Sequence, residues 1–233
     1  MYIRYISLCI IIAFCGSPLY AKDIVIMLHG IARSADHMEP LAEAVEAAGF
    51  DVLNITYPST DYDIRTLAHD IYHTYLRAIA SERKVHFVGY SMGGLVVRTI
   101  IHHHRPEMLG RVLYLATPHH GSEVADWWKD TLLYQLIYGV AGQQLVTDES
   151  VRDGLFGVVD YEAGTIIGTA TIDPFSSFII PGEDDGKVSV LSAQLQGVSD
   201  SIFVDATHMF FPSNVQVQRQ TVHFLTLGRF AVN

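Results

Sequence analysis

Five residues in the middle of the chain, Gly89-Tyr90-Ser91-Met92-Gly93, match G-x-S-x-G, a pattern in which a serine hydroxyl serves as nucleophile. That chemistry needs the hydroxyl lifted clear of its surroundings on a tight strand-to-helix turn. Such a turn strains the serine backbone, and a Cβ at Gly89 or Gly93 would crowd the neighbouring strand and helix. The flanks fit this requirement. A short apolar, β-branched run (84–88) enters the pattern, and an apolar run with helical spacing (95–101) leaves it. A helix starting here would set its positive end beneath any negative charge that develops at the turn. In a chain with 18 glycines the five residues alone are a weak signal. Between a strand and a helix they carry weight.

Upstream, Ile24-Val25-Ile26-Met27-Leu28 is a continuous apolar run of the kind expected of a parallel strand buried on both faces. It leads straight into His29-Gly30-Ile31. With a His-Gly pair after an early strand and the serine turn downstream, the chain resembles an α/β-hydrolase of the bacterial lipase and esterase kind. The resemblance implies that the backbone N–H groups of Ile31 and Met92 form an oxyanion hole. His29 reads as a ring that braces the loop by hydrogen bonding.

In that family the acid and then the histidine follow the serine along the chain. The turn Gly182-Glu183-Asp184-Asp185-Gly186-Lys187-Val188 is similar to the Asp-Gly-x-Val segment of bacterial lipases, which selects Asp185 as the acid. Asp184 is the alternative, since one register slip changes which carboxylate points inward, and Glu183 ranks below both. The resemblance places the base at His208, in Thr207-His208-Met209-Phe210 after the apolar run 201–204. The chain has 12 histidines, so position in the pattern decides. His119 and His120 lie in Ala116-Thr117-Pro118-His119-His120-Gly121-Ser122, similar to a Thr-Pro-His-x-Gly-Ser segment of lipase-like hydrolases. The triad order leaves them no catalytic part; the segment is expected to line or support the active-site rim, with His119 as a substrate-binding candidate. His102, His103 and His104 point apart on one helix and offer no three-histidine metal face. They read as a solvated helix end.

The chain of 233 residues suits one domain. Residues 1–21 read as an export signal: Arg4 is the only charge before Lys22, residues 5–14 are largely apolar, and Pro18-Leu19-Tyr20-Ala21 offers a cleavage site. The apolar run is short for a membrane span, which needs about 20 residues. A retained anchor is the alternative; a lipoprotein at Cys15 is disfavoured by Phe14 before it. Cleavage after Ala21 would remove Cys9 and Cys15, leaving no thiol, and would remove Arg4 and no acid. The formal net charge of −10 would then become −11. Such a balance argues against nucleic acid or anionic lipid as an electrostatic partner. Export to the periplasm or medium is the expectation.

From residue 22 the strand and helix patterns alternate, the mark of an α/β chain with a mainly parallel sheet covered on both faces. Strands are expected at 24–28, 51–56, 84–89, 111–117, 165–169 and 201–205. Helices fit 37–48, 63–80, 93–104 and 214–227. These about six strands resemble a compact α/β-hydrolase sheet lacking the two antiparallel strands that open larger members. Residues 122–162 break the alternation with Trp127, Trp128 and apolar positions 133, 136, 137 and 140 at helical spacing. The resemblance implies a small cap there. Its aromatics either pack into the body or, as a substrate-binding surface at Trp127 and Trp128, hold an acyl chain.

The expected function is an exported serine hydrolase that cleaves carboxylic esters through Ser91, His208 and Asp185. Its partner would be a small-molecule or lipid ester, with transient contact to a lipid interface and no obligate protein partner. Acyl transfer, or cleavage of thioesters or amides, would use the same residues. A binding module without turnover is the alternative from another class, since fold does not fix function. No residues are spaced for zinc, no calcium ligand set stands out, and no cofactor is expected. Arg98 reads as half of a structural ion pair, and Asp70 with His73 as a surface pair.

Overall fold

The protein is described by a computed structural model over residues 22–79 and 83–232. The expected export segment, with Cys9 and Cys15, lies outside these residues. Six strands form one sheet: β1 (Ile24–Leu28), β2 (Asp51–Ile55), β3 (Val85–Tyr90), β4 (Leu109–Leu115), β5 (Ala163–Gly168) and β6 (Asp200–Val204). Their order is β2-β1-β3-β4-β5-β6, and every pairing is parallel. β1, β3 and β5 are buried at every position, which is why β1 is an unbroken apolar run and the other two are mostly apolar, with His86 and Thr165 as buried polar exceptions.

Two cores flank the sheet. On one face, α1 (Glu39–Ala47) and α8 (Val215–Leu227) bring Leu41, Val45, Phe224 and Leu225 against Val25, Met27 and Val88. On the other, α2 (Ile64–Ile71) and α3 (Met92–His104) bring Leu67, Ile71, Leu95 and Ile100 against Ile24, Ile26 and Phe87. Local chemistry sets the ends. Asp63 caps α2 by accepting from the Thr66 N–H at 2.9 Å. Asn214 caps α8, which stops at Gly228 in the left-handed region with φ 72°.

Several bounds differ from the sequence expectation. The helix expected over 37–48 is split into a 3-10 turn, Ala35–Met38, and α1, because Pro40 has no N–H to carry a continuous ladder through that point. The helix expected from residue 63 is α2 followed by a π turn, Tyr72–Leu76. Two short helices were not foreseen: α6 (Pro174–Ile179) and α7 (Val190–Ala193).

Between β4 and β5 lie α4 (Glu123–Trp128), α5 (Leu132–Gly142) and a 3-10 turn, Glu149–Arg152. Helix α5 is broken at Gly139 (φ 55°, ψ −148°), where a Cβ would strike the Thr60 carbonyl oxygen. The Val140 N–H donates to that same carbonyl at 3.0 Å, tying the second half of the helix to the loop after β2. Tyr134, Ala141 and Leu145 join a sheet core, while Leu132, Leu133, Leu136 and Ile137 stay exposed. Part of this segment is therefore body and part is open apolar surface.

Candidate active site

Ser91 stands between the end of β3 and the start of α3, with φ 54° and ψ −127°. A non-glycine residue holds that backbone only when its surroundings force it. Here the surroundings are tight. A Cβ on Gly89 would lie 2.5 Å from Gly94 Cα, and one on Gly93 would strike the Leu28 and His29 carbonyl oxygens. The Ser91 N–H is held by the Leu115 carbonyl at 2.8 Å.

The loop after β5 and the turn after β6 bring the acid and the histidine to this serine. His208 Nε2 lies 3.1 Å from Ser91 Oγ, and His208 Nδ1 lies 2.7 Å from Asp185 Oδ2. The other Asp185 oxygen accepts the Lys187 and Val188 N–H groups at 3.0 and 2.8 Å. With both oxygens acting as acceptors, the carboxylate faces a His208 that carries its proton on Nδ1 and leaves Nε2 free to accept. Asp184 is turned elsewhere: its Oδ1 accepts from Ser177 Oγ at 2.8 Å and from the Gly186 N–H at 2.6 Å. Glu183 is exposed. Of the two carboxylates, it is Asp185 that stands against the His208 ring.

The backbone of His208 is held from both sides. Its N–H donates to the Asp185 carbonyl at 2.8 Å, and its carbonyl accepts the buried Tyr90 hydroxyl at 2.7 Å. Burial raises the Tyr90 phenol above its usual range, so it stays a donor. His37, tilted against Tyr90 at 5.3 Å, is lowered to about 4, first by burial and then by Arg33 and His208.

A Cβ on Gly30 would lie 3.1 Å from the Ser91 Cβ, so the loop after β1 runs beside Ser91. Among the described residues neither the Ile31 nor the Met92 N–H has a hydrogen-bond partner. The brace under this loop is His29, fully buried and stacked on Tyr57 at 4.2 Å. Its Nδ1–H donates to the Gly30 carbonyl at 2.8 Å, and its Nε2 accepts the Tyr57 N–H at 3.2 Å. Burial holds the ring below the usual histidine range, hence neutral, as a ring that both donates and accepts requires.

Ser91 and His208 open into a cleft of about 560 Å³. Its walls are largely apolar and aromatic, from Ile31, the cap residues Trp128, Leu133, Tyr134 and Ile137, and Phe175 of α6. Two sequence assignments need correction. Trp127, 63% exposed, faces solvent rather than the cleft, because it neighbours Trp128 on a short helix and the two side chains diverge. His119 is buried behind the cleft, edge-on to Tyr114 at 5.0 Å and 3.4 Å from Arg98, and does not line it. Arg98 has no carboxylate partner among the described residues and lies over the Phe156 ring at 4.2 Å. The ion pair expected of it is a cation–π contact instead. Asp70 pairs with His69 at 3.1 Å, not with His73. Sequence reasoning missed Tyr90, Arg33, Lys187 and Phe175. For Phe175 a signal was available: Asp173-Pro174 is a cap followed by a first-turn proline.

Among the described residues no group of three or more metal-ligating side chains is set around a common point. None of the described helices is long and apolar enough to cross a membrane.

Residues 23–136 match the family described as alpha/beta hydrolase fold. The search of curated proteins returned no match. Among solved structures, the mature form of the lipase BlEst2 from Bacillus licheniformis is 24% identical with a TM-score of 0.67, over 91% of this chain and 94% of that one. The propeptide form of the same lipase is covered over 52% of its length. The metagenomic carboxyl esterase MGS0156 is 16% identical with a TM-score of 0.65, over 83% of this chain and 68% of that one. Phospholipase PlaB from Legionella pneumophila is 18% identical with a TM-score of 0.58, over 74% of this chain and 45% of that one. With the all-parallel sheet, the strained serine turn and these likenesses together, the chain has the α/β-hydrolase fold.

Proposed function

We propose that this chain is an exported serine hydrolase that cleaves carboxylic esters through an acyl-enzyme. One observation carries the reading: Ser91, His208 and Asp185 form a continuous hydrogen-bonded chain at the opening of an apolar cleft. In the proposed reaction His208 Nε2 takes the Ser91 proton as the hydroxyl oxygen attacks the ester carbonyl. Asp185 holds the imidazole in the accepting tautomer and stabilises the imidazolium. The free N–H groups of Ile31 and Met92 would receive the oxyanion, each donor contributing roughly 2.7–4 kcal/mol in comparable sites. His208 then gives its proton to the leaving alcohol. Water, deprotonated by the same ring, attacks the acyl-Ser91 and releases the acid.

The apolar walls favour an acyl chain, and the esterase and lipase names of the structural neighbours support the ester class. Export rests on the sequence of residues 1–21 alone. The test is turnover of p-nitrophenyl esters of graded acyl length by the chain from residue 22 and its Ser91→Ala variant, with and without micelles. Turnover by the former and none by the latter is expected. Equal background rates would overturn the reading. Product analysis with added alcohol distinguishes acyl transfer, and fractionation with N-terminal sequencing checks export and cleavage after Ala21.

A further inference from the structure

Charge on the cleft wall is sparse and lopsided. Apart from His208, its charged side chains are Arg33, Asp173 and Lys187. The last two neutralise each other, with Lys187 Nζ 2.7 Å from Asp173 Oδ2 and 3.1 Å from Ser176 Oγ. Arg33 has no such partner. Among the described residues its guanidinium donates only to the neighbouring Ala32 carbonyl, at 3.1 Å. A chain with a formal net charge of −10 thus leaves a cation without an acidic partner among the described residues on the wall of the cleft that holds Ser91.

The loop that carries Arg33 is preset. Ala32 sits in the left-handed region with φ 53°, and its N–H donates to Ser59 Oγ at 3.0 Å. Two residues past Arg33, the Ala35 N–H donates to Thr56 Oγ1 at 3.0 Å. A strained backbone pinned on both sides needs little further ordering when a ligand arrives. The guanidinium fork suits a carboxylate or a phosphate.

Resting on the ester-hydrolase reading, we propose that the preferred substrates are esters bearing a carboxylate or phosphate, and that Arg33 binds that anion. The cap wall then takes the apolar part of the same molecule.

The test compares matched esters: p-nitrophenyl hemiglutarate with its methyl ester, and 4-butyryloxybenzoate and 4-butyryloxyphenyl phosphate with 4-butyryloxybenzamide. The first pair puts the anion on the acyl side; the others put it on the alcohol side and separate carboxylate from phosphate. The wild type is expected to favour at least one anionic ester by kcat/KM. Arg33→Gln should lower that anionic-to-neutral ratio roughly tenfold, Arg33→Lys should restore part of it, and added salt should shrink it. Preference for the neutral member of every set would overturn the proposal. So would an Arg33→Gln variant that slows charged and neutral esters in proportion. If no ester is cleaved faster than by Ser91→Ala, the hydrolase reading falls and this proposal with it. Turnover of neutral esters without anionic preference sinks the proposal alone.

Discussion

Replacing Asp185 by asparagine tests the histidine tautomer without removing the side chain. One carboxylate oxygen accepts two backbone N–H groups, of Lys187 and Val188, and the other faces His208 Nδ1. An asparagine has one oxygen and one NH2. Turning its NH2 toward the backbone would leave two buried donors unsatisfied at about 1–3 kcal/mol each. The opposite orientation is favoured by at least about 2 kcal/mol, a factor of roughly 30. The NH2 then donates to Nδ1, which moves the imidazole proton to Nε2, where it points at Ser91 and can accept nothing. The fold is retained and the base is lost. A drop in kcat of about 10⁴ is expected, equivalent to about 5.4 kcal/mol, with a stability change near 1 kcal/mol. The assay is single-ester kcat on active-site-titrated enzyme, paired with urea unfolding. Asp184→Asn is the comparison, and it should slow kcat by less than tenfold. Asp185→Asn activity within tenfold of wild type, or greater damage from Asp184→Asn, would refute the reasoning.

Tyr90→Phe removes the hydroxyl that holds the His208 carbonyl and leaves that buried acceptor unpaired. A stability loss of about 1–3 kcal/mol is expected, with kcat falling severalfold and KM unchanged; steady-state kinetics and urea unfolding check both. His37, held near 4 when folded against 6.5 unfolded, lets the unfolded state bind more protons below pH 6.5. Its share of stability is full above that pH and is lost as pH falls toward 4. Between pH 7 and 5 the wild type should lose about 1–2 kcal/mol more than His37→Gln in denaturant titrations. A long-chain phosphonate on Ser91 should change tryptophan fluorescence in Trp127→Phe, which keeps the cleft-lining Trp128, and leave Trp128→Phe unchanged.

The legible parts of this fold were those with the shortest-range causes. β1 was placed to the residue because its five apolar positions are all buried and end against His29-Gly30. The start of α3 and the two glycines around Ser91 followed from sterics within one turn. The cleft wall was harder to read. Trp127 and Trp128 are adjacent and chemically equal, so only the placement of α4 separates them. His119 follows Thr117-Pro118 as a rim residue would, yet the chain turns inward there and sets it edge-on against Tyr114. Tyr90 and Lys187 left no mark because their partners lie far along the chain or in a helix too short to have a period. His69, His73 and His104 gather within 6 Å of one another from two helices, a grouping invisible to spacing along either one.

The break at Gly139 divides responsibilities within the cap. Beyond it, the Val140 N–H fastens the helix to the body, and Ala141 and Leu145 share its core. Before it, Leu132, Leu133, Leu136 and Ile137 belong to neither sheet core, though Leu133 and Ile137 line the cleft. Tyr134 both lines the cleft and joins the core, but these four apolar residues of the outer turn do not hold the fold together. Substitutions on this outer turn can be explored at little thermodynamic risk, which makes it a natural place for selection, or an engineer, to alter what the enzyme accepts.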